Sequence, residues 1–208
     1  MIDSQFDTAL VTAAFELGAE AGWRKVAAAA AARKAGLDLA TARTRFGSCA
    51  AILRKFGELG DAAALTGALT EGPVRDRLFD VLMRRFDFLQ VHRAGVLALL
   101  KVLPADPVLA LCLARANLTS MGWMLEAAGI GSKGVRGELR KRGLLLVWVY
   151  GVRAWARDET ADLTATMAAV DEALNKADSV AARFSANPLA ETPKQPDLPF
   201  PEAPSEVE

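Results

Sequence analysis

The sequence predicts an all-α fold, and three observations carry that expectation. Alanine and leucine dominate a chain that is 52% hydrophobic but only 7% aromatic, and these two residues lose least on entering a helix. Apolar residues recur at spacings of three and four, and no segment shows the period of two that a half-buried strand needs. Gly22, Gly36, Gly47, the stretch from Thr66 to Pro73 and the turn from Gly129 to Gly134 fall between the periodic segments, where helices end. A chain of 208 residues holds one sizeable core, or a small domain joined to a larger one.

The first helix is expected from about Ser4 to Glu20, with Phe6, Leu10, Ala14 and Leu17 on one face. Gly22 ends it in the left-handed cap position. Trp23 then tucks a large ring under a second helix, about Val26 to Ala35, which stops at Gly36. Asp38 can N-cap a short helix from Leu39 to Arg45, and Ser48 a longer one reaching about Leu65. Three short helices with a tight glycine turn between the second and third, followed by a connecting helix, make a helix-turn-helix plan.

The stretch Thr66 to Pro73, rich in Gly, Thr and Pro, marks a boundary. It separates a first domain, 1–65, from a second, 66–186. In the second, a helix from about Pro73 to Gln90 turns Leu78, Phe79, Leu82, Met83, Phe86 and Leu89 inward. Another covers Arg93 to Leu103, and a third opens on Pro107, a favourable first-turn residue, and runs to about Ala128. After a turn over Gly129 to Gly134 come two long helices, about Val135 to Arg157 and Thr160 to Arg183, the second capped by Thr160. Residues 187–208, rich in Pro and Glu, read as a disordered acidic tail.

Net charge is zero, with 25 residues of each sign, but the distribution is uneven. Between Trp23 and Lys55, eight bases (Arg24, Lys25, Arg33, Lys34, Arg43, Arg45, Arg54 and Lys55) face Asp38 alone, a local +7. Such asymmetry is typical of contact with nucleic acid or an anionic surface. Cys49 and Cys112 have neither metal nor disulfide spacing, which fits a reducing, cytoplasmic setting. His92 is the only histidine, and is expected at a loop or helix end. With no paired carboxylates in an apolar frame and no Gly-rich phosphate loop, the sequence points away from an enzyme, and no cofactor or metal is expected. The longest apolar run, Gly143 to Val152, is about half of what spans a bilayer, so no transmembrane segment is expected.

Two further surfaces follow from the apolar pattern of the second domain. Phe79, Met83, Phe86, Leu97, Leu100, Cys112, Met121, Trp123 and Met124 are candidates to line an apolar pocket, with Asn117, Thr119 and Ser120 the polar groups beside them. A ligand there would be a hydrophobic small molecule or lipid. Leu144, Val147, Trp148 and Trp155, with Leu163, Met167, Val170 and Leu174, make apolar faces extensive enough to predict a homodimer.

The pattern Ala13-Ala14-x-Glu16-Leu17, Gly22-Trp23, Ala35-Gly36-Leu37, Phe46, Ala51-Ile52-Leu53 and Phe56 resembles the amino-terminal domain of TetR-family transcriptional regulators. The stretch Trp155-x-x-Asp158-x-x-Ala161-Asp162-Leu163-x-x-Thr166-Met167, Gly22-Trp23 and Val74-Arg75-Asp76-Arg77-Leu78 are similar also to the TetR-fold, lipid-binding accessory proteins of ubiquinone biosynthesis. The first resemblance implies a dimer that reads double-stranded DNA and is released by a small effector. The second implies a lipid carrier without DNA binding. Departures bear on the choice. Val26 and Ala27 stand where the regulators place a phosphate-binding hydroxyl, Asp38-Leu39-Ala40 where they place Ser-Lys-Gly, and Cys49 where they place a lysine. Against those losses, Thr41, Arg43, Thr44 and Arg45 remain to touch bases, and Arg24, Lys25, Arg54 and Lys55 to replace phosphate contacts.

Overall fold

The computed structural model describes residues 2–185, with side chains described from Ser4 to Ala181. Among these residues every regular element is helical. The α-helices are α1 (Ile2–Ala21), α2 (Ala28–Ala35), α3 (Leu39–Arg45), α4 (Cys49–Leu65), α5 (Val74–Val91), α6 (Arg93–Val102), α7 (Pro107–Ala127), α8 (Gly134–Trp155) and α9 (Thr164–Ser185). Short 3-10 turns cover Trp23–Lys25 and Leu103–Ala105. The acidic tail expected from 187 lies outside the described residues.

Local chemistry sets the breaks between the first helices. Gly36 takes φ 67°, a left-handed conformation, and the amides of Gly36 and Leu37 close α2 on the carbonyls of Arg33 and Ala32. Asp38 accepts the Thr41 amide at 2.7 Å to start α3, and Ser48 Oγ accepts the Ala51 amide at 3.2 Å to start α4. Helix α2 begins two residues later than expected. Ala27 occupies its N-cap without a side chain able to accept a bond, so Trp23–Lys25 turns separately.

The core runs from the first helices into the larger body without interruption. Phe15 on α1 stacks on Phe56 of α4, centroids 3.8 Å apart. Trp23 donates its indole N–H to the Gly95 carbonyl of α6 at 2.9 Å. Helices α5 and α6 meet at 94°. At that break His92 sits at a helix end, one of its two expected places, and lies against Phe15, Phe56 and Phe88. Helix α7 is long and apolar enough to cross a membrane by length and composition, although no such segment was expected. One side of its C-terminal half is buried, with Met121 and Met124 fully enclosed where it packs on α4, α5 and α8, while Val108, Leu111 and Trp123 on the other side are exposed.

Helix α9 opens four residues later than expected. The Thr160 hydroxyl accepts the amide of Thr164, the first residue of the helix, at 3.1 Å. Asp158 organises the turn with it, accepting the Thr166 amide and hydroxyl on Oδ2, each at 2.7 Å. Its other oxygen takes the amide and hydroxyl of Thr160. The bonds from Thr160 and Thr166 outweigh the opposing effect of burial and hold this carboxyl far below the usual range. Leu163 adopts φ 55° just before the helix, a strained choice for a branched side chain that burial of that side chain offsets.

The apolar faces expected to make a dimer turn out to be internal. Leu144, Val147, Trp148, Trp155, Leu163, Val170 and Leu174 are buried within one protomer, and Met167 is half-buried. The reason is that α8 and α9 must cover α5. Trp148 stacks on Phe86, centroids 4.5 Å apart, and Gly151 lets the helices approach so closely that a methyl there would meet Phe86 and Val170 at 2.8 and 3.0 Å. Helix α8 carries a second apolar stripe on its opposite side, where Val135, Leu139, Leu146 and Val149 are all exposed. Spacings of four, seven and three keep these on one face.

Candidate nucleic-acid interface

Helices α1 to α4 present α3 at the surface, braced from behind by a buried carboxylate. Asp7 on α1 accepts from Arg45 Nε at 2.7 Å and Nη2 at 2.8 Å, and Lys55 on α4 stands 3.0 Å away. Burial alone would raise the Asp7 carboxyl, but the hydrogen bonds from Arg45 and Lys55 outweigh it and hold the group below its ordinary value. Three helices are pinned at one point, so the orientation of α3 is fixed before any ligand arrives.

This bracing bears on the sequence reading. Arg45 places the Nε and Nη2 edge of its guanidinium on Asp7, so two of the donors expected at base edges are already engaged. Lys55 is held by Asp7 and Glu58, and Arg54 pairs with Glu58 at 3.2 Å along its own helix. The competing acids lie 38 to 48 residues away or one turn on, and side-chain periodicity alone does not show them. Thr41 is half-buried and Thr44 is exposed, its hydroxyl bonded to the Ala40 carbonyl at 3.0 Å. Arg43 is exposed, and among the described residues it has no ion-pair partner; the same holds for Arg24, Lys25 and Arg33. Lys34 is neutralised by Glu16 and Glu20.

A shallow groove of about 300 Å3 separates α3 from the starts of α2 and α4. Arg43 and Ser48 give it polar edges, while Val26, Ala27, Ala28, Ala29, Leu39, Phe46 and Cys49 make its floor apolar. Burial, with Asp106 nearby, raises the Cys49 thiol, so it is neutral at pH 7. The groove offers backbone N–H groups at an uncapped helix start, one guanidinium, and little else that is charged.

The expected ligand lining is not brought together as one surface. Phe86, Met121 and Met124 are core residues; Phe79, Met83, Leu97 and Leu100 are half-buried. Asn117 is half-buried and donates to the Leu113 carbonyl of its own helix at 2.9 Å. Cys112 and Trp123 face away, Trp123 with 60% of its surface exposed. Positions 112, 119 and 123 share the outer stripe of α7, while 117, 121 and 124 share the inner one, so the set divides across the helix.

Sequence reasoning missed a polar cluster under this layer. Arg85 on α5 is buried beside Asp61 of α4 (Nη2 to Oδ1, 3.2 Å) and Ser120 of α7. Ser120 Oγ accepts from Arg85 Nη2 at 3.2 Å and donates to Asp61 Oδ2 at 2.6 Å. The signal was available: Arg85 lies on the inward row of α5, three residues after Leu82 and four before Leu89. Burial raises the Asp61 carboxyl even with Arg85 opposing it, and burial lowers the Arg85 guanidinium against the pull of Asp61.

An all-helical body with a helix-turn-helix head on a connecting fourth helix defines the class, and solved structures place it further. The chain has the fold of TetR regulators. It is similar to a TetR transcriptional regulator from Nitrosomonas europaea, with TM-score 0.66 and 19% identity, covering 83% of this chain and 98% of that one. A TetR transcriptional regulator from a Rhodococcus species matches with TM-score 0.58 and 17% identity, covering 85% and 97%. One from Streptomyces coelicolor matches with TM-score 0.53 and 17% identity, covering 88% and 93%. No protein-family profile and no curated protein matches the sequence.

Proposed function

We propose that the protein is a dimeric, DNA-binding transcriptional regulator of the TetR type, controlled by a small hydrophobic effector. The observation that carries this reading is the exposed, unpaired Arg43 on a braced α3, with unpaired Arg24 and Lys25 close by in sequence on the adjoining turn. Arg43, with Thr41 and Thr44, touches base edges; Arg24, Lys25 and the free amides at the start of α2 touch phosphates. Arg45 and Lys55 serve by holding the head together. Pairing of two copies through Val135, Leu139, Leu146 and Val149 sets two heads about one DNA turn apart. An effector acting on α4 from the larger domain then changes that spacing.

The deciding measurement is capture of fragmented genomic DNA from the source organism, with a salt titration on what is retained. An enriched site with a steep salt slope supports the reading. Sequence-blind retention or none overturns it and favours the second reading, a lipid-binding protein of the same fold, for which the uncapped, apolar start of α2 is the supporting observation.

A further inference from the structure

We infer that Arg85 is the recognition point for the carboxylate of an amphipathic organic acid, which takes the guanidinium from Asp61. This deepens the effector reading, and rests on it for the consequence at DNA but not for binding itself.

The argument begins with an incomplete ion pair. Arg85 offers a planar fork of donors suited to a carboxylate gripped by two parallel bonds. Only its Nη2 is used, on Ser120 at 3.2 Å and against Asp61 at 3.2 Å. Buried Nη1 has no hydrogen-bond partner among the described residues, and neither does Asp61 Oδ1. The side chain of Arg85 is 6% exposed. A donor pair and an acceptor lone pair thus sit side by side in the interior without satisfying each other. Asp61 approaches from α4 at an angle that uses half of the fork.

The surroundings define the rest of the ligand. The guanidinium lies over the Trp148 ring at 4.7 Å, and Met121 and Met124 are buried on the helix that carries Ser120. Thioether side chains repack readily around an apolar tail. The occupant therefore combines one carboxylate with a hydrophobic body. Its carboxylate takes both Arg85 nitrogens, and Asp61 keeps only the Ser120 hydroxyl. Asp61 stands four residues from the end of α4, the helix whose other end carries Ser48 and the α3 junction. Losing the guanidinium detaches α4 from α5 at this point.

The two partners of the pair should then respond in opposite directions, which a merely structural ion pair would not do. The test is calorimetric titration of the full chain, without DNA, using hexanoate, decanoate and 1-naphthoate, each beside its matching alcohol. At least one acid is expected to bind about ten-fold tighter than its alcohol. Arg85→Gln should abolish that preference, whereas Asp61→Asn, which removes the internal competitor, should strengthen acid binding about three-fold or more. Ser120→Ala, milder for the fold, should shift affinity in the same direction as Asp61→Asn. Equal affinity for every acid and its alcohol, absence of binding across the panel, or weakening by Asp61→Asn or Ser120→Ala in folded protein would each overturn the inference. Acid preference in a protein that captures no DNA would leave Arg85 assigned and remove the regulator reading; DNA capture without acid preference would do the reverse.

Discussion

Replacing Arg45 by alanine should weaken the fold while leaving the electrostatics of DNA contact unchanged. The side chain donates to Asp7 at 2.7 and 2.8 Å, with Asp7 95% enclosed and Arg45 30% exposed. Hydrogen bonds to charged groups contribute about 1.5–3 kcal/mol, and partial exposure of Arg45 places the pair toward the low end. Lys55 stays 3.0 Å from Asp7, so the carboxylate is not left bare. The net loss is about 1.5–2 kcal/mol in total, which lowers the melting temperature by about 3–8 °C for a chain of this size. The pH dependence has a definite sign. Because the folded Asp7 carboxyl lies below its ordinary value, the contribution is complete above the unfolded carboxyl pKa, about 3.9, and fades as pH falls through the folded value. Calorimetric melts at pH 7 and pH 3 should therefore show a gap between variant and parent that narrows in acid. The reasoning is refuted if Arg45→Ala melts with the parent at pH 7 while its DNA affinity falls and its salt slope flattens.

Arg43→Ala is the converse case: an unchanged melt, with a salt slope on DNA shallower by about 0.9 per protomer if the guanidinium meets a phosphate, or relaxed sequence preference costing about 1–3 kcal/mol if it reads a base. Leu139→Glu with Leu146→Glu should give a folded monomer by sedimentation, since both side chains are more than half exposed in the protomer; a variant that stays dimeric would move the interface elsewhere. Gly151→Val places a branched side chain between Phe86 and Val170 and should destabilise by about 1–3 kcal/mol in denaturant melts. Burial lowers His92, with Glu16 opposing. Its neutral form therefore stabilises the fold above the unfolded value of about 6.5, and that stability is lost as pH falls through the folded value. His92→Phe should flatten the fall of stability as pH drops below about 6.5, and an unaltered profile would show that another group governs that range.

Much of the framework could be read locally. Asp38 and Ser48 cap where their spacing to the next apolar run says they should, and Gly36 closes α2 in the left-handed conformation. These features act over three or four residues, so the sequence displays both partners at once. The missed features act at a distance. Nothing near Arg45 announces that Asp7 will claim it, and the Arg85 cluster draws on α4, α5 and α7 together. Helix α8 shows a third kind of limit. It is apolar on two sides, with Trp148 and Trp155 on one and Leu139 and Leu146 on the other. Periodicity finds both stripes but does not say which belongs inside. The stripe that carries Trp148 and Trp155 fills the gap over α5.

The placement of Asp61 along α4 has a mechanical consequence. Twelve residues separate it from Cys49, and at 1.5 Å per residue they form a rod about 18 Å long. A tilt of about 10° over this length displaces one end relative to the other by about 3 Å, close to the 3.4 Å step between stacked base pairs. On the proposed function, exchange of one guanidinium partner at Asp61 would, with this leverage, carry α3 out of register with the groove it follows.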